Sequence, residues 1–374
     1  MNHIYIYLEN AALSPASYYR LTQYFANSGA TIHSALPDII YTYWHRQRRV
    51  GRILLAPWLY LFYVLRKLAF LIFDSFRANA GDTIIISRVV VPHHTPLLHR
   101  IIIKRLSRRC HIIWDFDDNI LESKTISLGD FKFLSMVCNN IVVTNYFPKS
   151  LVAEDYRQKV LLLPTTDGDL LGYDYNITMS QRKDKYDAEI RLVWVATASG
   201  LQYLQNIIPA LEQAAALLNK ELGKKLVLRI VCNHPLHTMT SCLDIVNIKW
   251  QRDTAKQEIL NAHIGIMPLK DNEFTRGKGA FKLVQYMSAG LPVIASPVGF
   301  NNEVVNPQIG FLCASAEEWK HAILILSNSW ENYEDFAKRA RARYDEHYSY
   351  AANKAFWEKL TTARKSYTDN NNKE

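Results

Sequence analysis

Short apolar runs alternate with longer stretches of helical periodicity along most of the chain, the pattern expected of stacked βαβ units. In the first half the predicted strands are IYIYL from Ile4, TIIIS from Thr83, HIIWDF from His111, NIVVTN from Asn140 and KVLLLP from Lys159. Each is bounded by turn or polar residues and is apolar nearly throughout, as strands of a parallel sheet covered on both faces are. A polar stretch at 175–189, YNITMSQRKDKYDAE, has little apolar periodicity and reads as a linker. Beyond it the alternation restarts with RLVWVA, LVLRIVCN, IVNIKW, IGIMPL and LPVIASP, separated by helical segments such as LQYLQNIIPALEQAAALLNKEL. Two doubly wound α/β halves joined near residue 180 are the simplest topology. From Glu317 onward the pattern is helical and rich in aromatic residues, which are expected to serve packing.

Length agrees with this division: 374 residues exceed one ordinary core, and domains of about 100–200 residues are the usual solution. Apolar residues make up 49% of the chain, enough for a folded protein with ample core. The five cysteines are odd in number, scattered and without a C-x-x-C pair, so a reduced, cytoplasmic setting is expected. The N-terminus runs straight into a strand-like segment with no basic start, and no signal peptide is expected. The longest apolar stretch, residues 53–65, holds thirteen uncharged residues before Arg66 and Lys67. That is short of the roughly 20 needed to cross a bilayer, so the expectation is a soluble or peripheral protein.

Charge refines the picture. The net charge of +9 is concentrated between residues 41 and 110, where thirteen Lys and Arg face two acids, Asp74 and Asp82. Such a field favours an anionic partner, and an anionic membrane surface or a phosphorylated lipid fits best, with a solvated basic face as the plain alternative. The basic residues lack an RNA- or DNA-binding motif, so nucleic acid is not an expected partner. The helix-like stretch 53–76 is apolar on most faces and follows Arg46, Arg48, Arg49 and Arg52. It reads either as a core helix or as an interfacial one, with Trp58, Tyr60 and Tyr63 at headgroup depth.

The chemistry concentrates in residues 277–299, GKGAFKLVQYMSAGLPVIASPVG, a glycine-flanked loop, then a helix, a strand and a glycine turn. Gly277 and Gly279 are expected to leave backbone amides uncovered before the helix, a ready anion site. Lys278 and Lys282, four residues apart, would lie one turn apart on a helix face and neutralise a diphosphate. Gln285 would follow one turn deeper, with a donor and an acceptor for sugar hydroxyls. Elsewhere Asp115, Asp117 and Asp118 end a predicted strand, where open α/β sheets place ligands. Their other readings are helix capping and, for a D-x-D pair, a divalent metal. His93 and His94 read as surface histidines, and Arg20 as either a phosphate contact or a surface arginine.

Taken whole, GKGAFKLVQYMSAGLPVIASPVGFNNEVV resembles the donor-binding segment of retaining glycosyltransferases of family four, in the branch found in surface-polysaccharide gene clusters. The pattern there is GK-x-x-FK-x-x-QYMA-x-G-x-PV-x-x-SPVG-x-N, with Ser288 in place of its alanine. WDFDDNI at 114–120, VWVATASGLQYL at 193–204, LNAHIGIMPLKDNEFTRGK at 260–278 and SPASYYRLTQY at 14–24 are similar to further family segments, in the same order. The family has the GT-B fold: two Rossmann-like domains facing a cleft, with the last helix crossing back to the first domain. The resemblance therefore implies an acceptor-binding domain at 1–180, a nucleotide-sugar-binding domain at 181–345 and a returning helix at 346–374. It implies transfer of a sugar from a nucleotide-sugar donor, UDP- or GDP-linked, to a glycan or lipid-linked acceptor, with retention and with neither metal nor other cofactor.

The residues matching these roles are Asp117, Asp118 and Lys282 for catalysis. Ser199, Gly200, Arg276, Gly277, Lys278, Gly279, Lys282 and Gln285 would bind the donor, and Arg20, Asp117 and Asp118 the acceptor. The chain departs from the pattern where Gly277 and Gln285 stand in place of two glutamates, and His263 in place of a common aspartate. Glu273 is the nearest acid able to replace the first glutamate. Also absent from 197–204 are the arginine and lysine that often follow the first donor-domain strand. A nucleotide-sugar 2-epimerase on the same scaffold and a catalytically idle scaffold subunit remain alternative readings.

Overall fold

Residues 2–47 and 49–362 are described by the computed structural model. Arg48 of the basic cluster, the Arg49 side chain and residues 363–374 of the predicted returning helix lie outside the described residues. The chain divides into two units: Met1–Thr165 with Ala351–Glu374, and Thr166–Tyr350. The first crossing thus falls at Thr165/Thr166, ahead of the expected residue 180, and the second at Tyr350/Ala351.

Unit 1 is built on β1 (Ile4–Leu8), β2 (Thr31–Ser34), β3 (Thr83–Ser87), β4 (His111–Phe116), β5 (Asn140–Val143) and β6 (Val160–Leu162). All pairings are parallel, in the order β2-β1-β3-β4-β5-β6. The apolar runs become strands because both faces of the sheet are covered: Ile84, Ile86, Ile112, Trp114, Ile141 and Val143 enter one buried cluster, and Ile85, Ile113 and Val142 of the opposite face are buried as well. β2 was not legible as an apolar run. Its sequence, TIHS, is short and half-buried because it is the edge strand.

Unit 2 repeats the plan with β7 (Glu189–Val195), β8 (Lys225–Cys232), β9 (Leu243–Lys249), β10 (Ile264–Met267), β11 (Val293–Ala295) and β12 (Gly310–Leu312). Its parallel order is β12-β11-β10-β7-β8-β9. Alternate residues of β7 feed two different cores, Leu192 and Trp194 on one face and Val193 and Val195 on the other, which is the period of two expected of a strand. The edge strand β12, three residues long, is the other strand missing from the apolar pattern.

The stretch 175–189 is not a linker. Tyr175–Tyr186 form a helix, begun by the Asp174 carboxylate accepting from the Ile177 amide at 3.0 Å. Its buried face, Thr178, Met179, Arg182 and Tyr186, includes a charged residue, which explains its polar appearance. Buried Arg182 donates to the carbonyls of Leu260 (3.1 Å), Ala289 (2.9 Å) and Gly290 (3.1 Å). These include carbonyls left open where the helix Phe281–Ser288 ends.

The segment beginning near Ile53 forms a single helix, Arg49–Arg77, far longer than its thirteen-residue apolar run. By length and composition alone this helix is long and apolar enough to cross a membrane. Its charges interrupt the run in sequence, but they turn inward in space. Lys67 and Asp74 are buried, Asp74 accepts from the Tyr7 hydroxyl and from His33 (2.8 Å), and Arg66 donates to the Ser34 carbonyl at 3.1 Å. Tyr63 belongs to this inward face and is 5% exposed, so it does not sit at an interfacial depth. The outward face carries Leu54, Trp58, Leu61, Leu65, Ile72 and Phe76, all exposed. Beside it the helix Leu97–Leu106 is joined through His99, whose ring bonds the Val64 carbonyl at 3.0 Å, and exposes Leu97, Leu98 and Ile101.

The last described helix, Tyr350–Thr362, packs inside unit 1 from Ala351 onward. There Asn353 donates to the Pro164 carbonyl at 2.7 Å, and the Trp357 ring lies 5.8 Å from that of Phe25.

Candidate functional site

In unit 2 the chain order reverses between β7 and β10, which are neighbours in the sheet. The crevice outside the carboxyl ends of two such strands is where doubly wound sheets place ligands. Ser199 and Gly200 stand there, in a short turn after β7 with the Thr197 and Ser199 hydroxyls 2.9 Å apart. Beyond the ends of β10, β11 and β12 lies a cavity of about 570 Å³. Its lining includes Tyr203, Asn206, Lys270, Asp271, Ser296 and Ser315. That volume is in the range of small-ligand sites, roughly 300–1,000 Å³.

The segment 277–299 borders this cavity. Gly299, at φ +53°, leaves its Cβ position open where the backbone of Arg276 packs, and a larger residue would strike the Arg276 carbonyl. The helix Phe281–Ser288 follows Ala280, held at φ 49°, a left-handed conformation that costs a non-glycine residue about 1–3 kcal/mol. It stops before Gly290, which adopts φ +66°. Its Tyr286 hydroxyl accepts from the Val195 amide at 2.9 Å, tying the helix to the end of β7.

Several expected contacts are placed differently. The amides of Gly277 and Lys278 both return to the Thr275 carbonyl and close the short helix Glu273–Arg276, so these two are not uncovered. Lys278 precedes the helix Phe281–Ser288 and does not share a face with Lys282; its ammonium lies 4.6 Å from the Phe274 ring centre. The Arg276 guanidinium is engaged by Asp271 through two hydrogen bonds of 2.6 and 2.8 Å. Glu273 is exposed on the short helix, and Gly279 is buried in the turn beside Ala280. His263 is buried and neutral: desolvation drives its pKa down to about 3, and its ring accepts from the Arg191 amide (2.9 Å) and donates to the Arg182 carbonyl (3.0 Å).

Lys282 and Gln285 do come together, the ammonium donating to Gln285 Oε1 at 3.0 Å. The amide nitrogen of Gln285 donates in turn to the buried carboxylate of Asp167, a residue that sequence reasoning missed. Burial pushes Lys282 down to about 8, opposed by the charge of Asp167. Burial and then Asp169 push Asp167 up to about 6. The available signal for Asp167 was its place in TTDGD, an acidic turn directly after a strand.

Unit 1 has its own switch point, between β1 and β3. Asp117 and Asp118 lie just beyond β4, partly exposed, with Arg88 Nη1 3.1 Å from Asp117 and 4.0 Å from Asp118. Arg88 was not singled out from sequence. It follows β3 at φ 58°, and a non-glycine residue held there is a recurrent mark of a functional turn. Asp115 and Arg20 are buried and paired with each other. Arg20 also donates to the Leu163 carbonyl and, at 3.3 Å, to Thr165. Burial alone lowers the Arg20 pKa, and the Asp115 carboxylate more than reverses this. Arg20 is therefore an internal clamp of unit 1 and not an exposed phosphate contact. His93 bonds the Lys124 carbonyl at 2.8 Å, and His94 lies 3.8 Å from Asp130.

Residues 191–329 match the family described as Glycosyl transferases group 1. This is the part of the chain that holds β7 to β12 and the Lys282–Gln285 pair.

Similar solved structures share the fold across nearly the whole chain. HepE from Anabaena, in complex with UDP and glucose, is 10% identical, with a TM-score of 0.63 over 97% of this chain and 100% of that one. Sucrose-phosphate synthase from Thermosynechococcus elongatus is 13% identical, with a TM-score of 0.59 over 97% and 99%. The catalytic domain of starch synthase IV from Arabidopsis thaliana, bound to ADP and acarbose, is 10% identical, with a TM-score of 0.61 over 97% and 99%. The fold is α/β of the GT-B type, with two parallel-sheet Rossmann-like units. No curated protein matches the sequence.

Proposed function

We propose that the protein is a glycosyltransferase that moves a sugar from a nucleotide-sugar donor to a glycan or lipid-linked acceptor in cell-surface polysaccharide or glycolipid synthesis. The observation that carries this reading is the site at the β7/β10 switch point. Beside it a cavity of ligand size opens beyond β10, β11 and β12, lined in part by Ser296, Pro297 and Val298 of the segment whose helix bears Lys282, all within the residues that match the glycosyl transferase family. The similar HepE structure holds UDP, which supports a uridine nucleotide among the donor candidates. Lys282 would offset the charge that builds on the leaving diphosphate as the glycosidic bond breaks. Ser199 and Gly200 lie where a donor would approach the end of β7. Asp117 and Asp118 are the candidates for the acceptor hydroxyl, and the resemblance of residues 277–299 to the family-four segment supports retention without an obligatory metal.

A thermal-shift panel of UDP-, GDP-, ADP- and dTDP-sugars tests the donor reading. A ligand at 100 times its Kd stabilises the folded state by about 2.7 kcal/mol, so the cognate nucleotide should raise Tm clearly above the others. No shift from any of the four removes the reading.

The acceptor side of the proposal rests on the outward face of the helix Arg49–Arg77. Leu54, Trp58, Leu61, Leu65, Ile72 and Phe76 recur at spacings of three, four and seven, with Trp58 73% and Phe76 85% exposed. Exposed Arg46, Arg52 and Arg77 flank the stripe, and Lys104 and Arg105 are exposed on the neighbouring helix. An apolar face bordered by cations suits the interface of an anionic bilayer, where each cation adds about 1 kcal/mol. The inward bonds of Arg66 and Asp74, with Lys67 buried against the Tyr7 and Tyr63 rings, favour a helix lying on the cytoplasmic leaflet over one crossing it. The wild-type protein should float with vesicles of phosphatidylcholine and phosphatidylglycerol, and the double variant Trp58→Glu/Leu65→Glu should remain in the soluble fraction while still binding nucleotide. Equal flotation of the two would remove the membrane reading.

A further inference from the structure

Gln285 occupies a place where the resembling family carries a glutamate, and Asp167 gives that departure a physical reason. The two polar ends of the Gln285 amide have different partners. Nε2 donates to Asp167 Oδ2, and Oε1 accepts from the Lys282 ammonium at 3.0 Å. A carboxylate only accepts and an ammonium only donates, so this arrangement fixes the amide in one of its two orientations. A glutamate at 285 would set two carboxylates against each other in a buried place, a repulsion that the amide avoids.

Asp167 is itself fixed. Its Oδ1 accepts from the Asp169 amide at 2.7 Å, and Asp169 pairs with Arg252 at 3.4 Å. Asp167 is 1% exposed and Gln285 3%, whereas Lys282 is only half-buried. Of the three residues, Lys282 is the one that keeps exposed surface.

We infer that Asp167 is a positioning residue of the donor site, acting through Gln285 to hold the Lys282 ammonium in place and charged for an anionic nucleotide. The negative charge absent from the helix is supplied by the loop that opens unit 2. This inference rests on the donor-site reading given above.

The probe is whichever of UDP, GDP, ADP and dTDP shifts the wild-type melting curve most. In the wild type, affinity for it should fall as pH rises through about 8, where Lys282 gives up its proton. Asp167→Asn removes the charge that favours the ammonium. It should weaken binding at pH 7 by about tenfold, the scale of one charge-assisted hydrogen bond, and move the alkaline fall to lower pH. The exchange Asp167→Asn/Gln285→Glu restores one carboxylate and one amide, and it should recover most of the affinity and return the pH step. Gln285→Glu alone should weaken binding, and it tests the idea should Asp167→Asn fail to fold. A purely structural Asp167 would lower Tm without moving the pH step. Binding by Asp167→Asn equal to wild type, or by the exchange no better than the single variants, overturns the inference alone. Failure of the wild type to bind any of the four overturns the donor-site reading with it.

Discussion

Lys282→Met should reduce nucleoside diphosphate release from the cognate nucleotide sugar, with a membrane-lipid fraction as acceptor, by about 100- to 1,000-fold. Loss of one group that stabilises developing charge in an active site has that scale. Methionine keeps the length of the stem, so packing beside Gln285 is retained and the change is mainly one of charge. The substitution also ends a burial penalty, since desolvation already pushes this ammonium down to about 8, and this offsets part of the cost of leaving the buried Gln285 Oε1 without its donor. The plain wild-type kcat/KM should decline above about pH 8, because the free enzyme's ionisations govern that quantity. A variant retaining a third or more of the activity would exclude Lys282 from the chemistry. The same measurement separates an enzyme from an idle scaffold, which would show no release in the wild type.

The second large effect concerns stability. Asp115→Ala should destabilise unit 1 by about 3–5 kcal/mol, because it leaves the Arg20 guanidinium buried without its counter-charge. Both side chains of the pair are almost fully buried, 2% and 1% exposed. Arg20 would keep the Leu163 carbonyl and Thr165, which accept hydrogen bonds but carry no charge. Replacing both partners, as in Arg20→Met/Asp115→Ala, should recover much of the loss, since two buried charges then disappear together. Urea unfolding of the two variants beside the wild type measures this. A single variant within 1 kcal/mol of wild type would show that the pair contributes little.

What could be read from the sequence was local. The runs that became β3, β4, β7 and β8 were visible because burial on both faces leaves no polar alternation to confuse them. Lys282 and Gln285 were visible as a pair because three residues bring two side chains together on a helix. The edge strands β2 and β12 were not visible, being short and only partly covered. Asp167 lies 118 residues from Gln285, and Arg20 lies 95 from Asp115. No periodicity announces such pairings, and each changed the role of the residue involved. Arg20 became an internal clamp, and Gln285 became the middle of a relay. The helix Tyr175–Tyr186 was missed for a related reason: its buried face, at Thr178, Met179, Arg182 and Tyr186, is anchored by a guanidinium where a pattern search looks for an apolar residue.

The long helix of unit 1 has a consequence for the order in which the chain is made. A segment of this length and hydropathy, emerging unfolded from a ribosome, presents itself as a membrane anchor. The groups that turn its charges inward are Ser34 for Arg66, and Tyr7 and His33 for Asp74. All three precede the helix in the chain, so its docking partners are already synthesised when it appears. Domains fold as units during synthesis, beginning from the N-terminus, and β1 and β2 can receive the helix before β3 exists. The order of residues along the gene thereby lets an anchor-like segment be captured by its own domain first, with only its outer face left exposed.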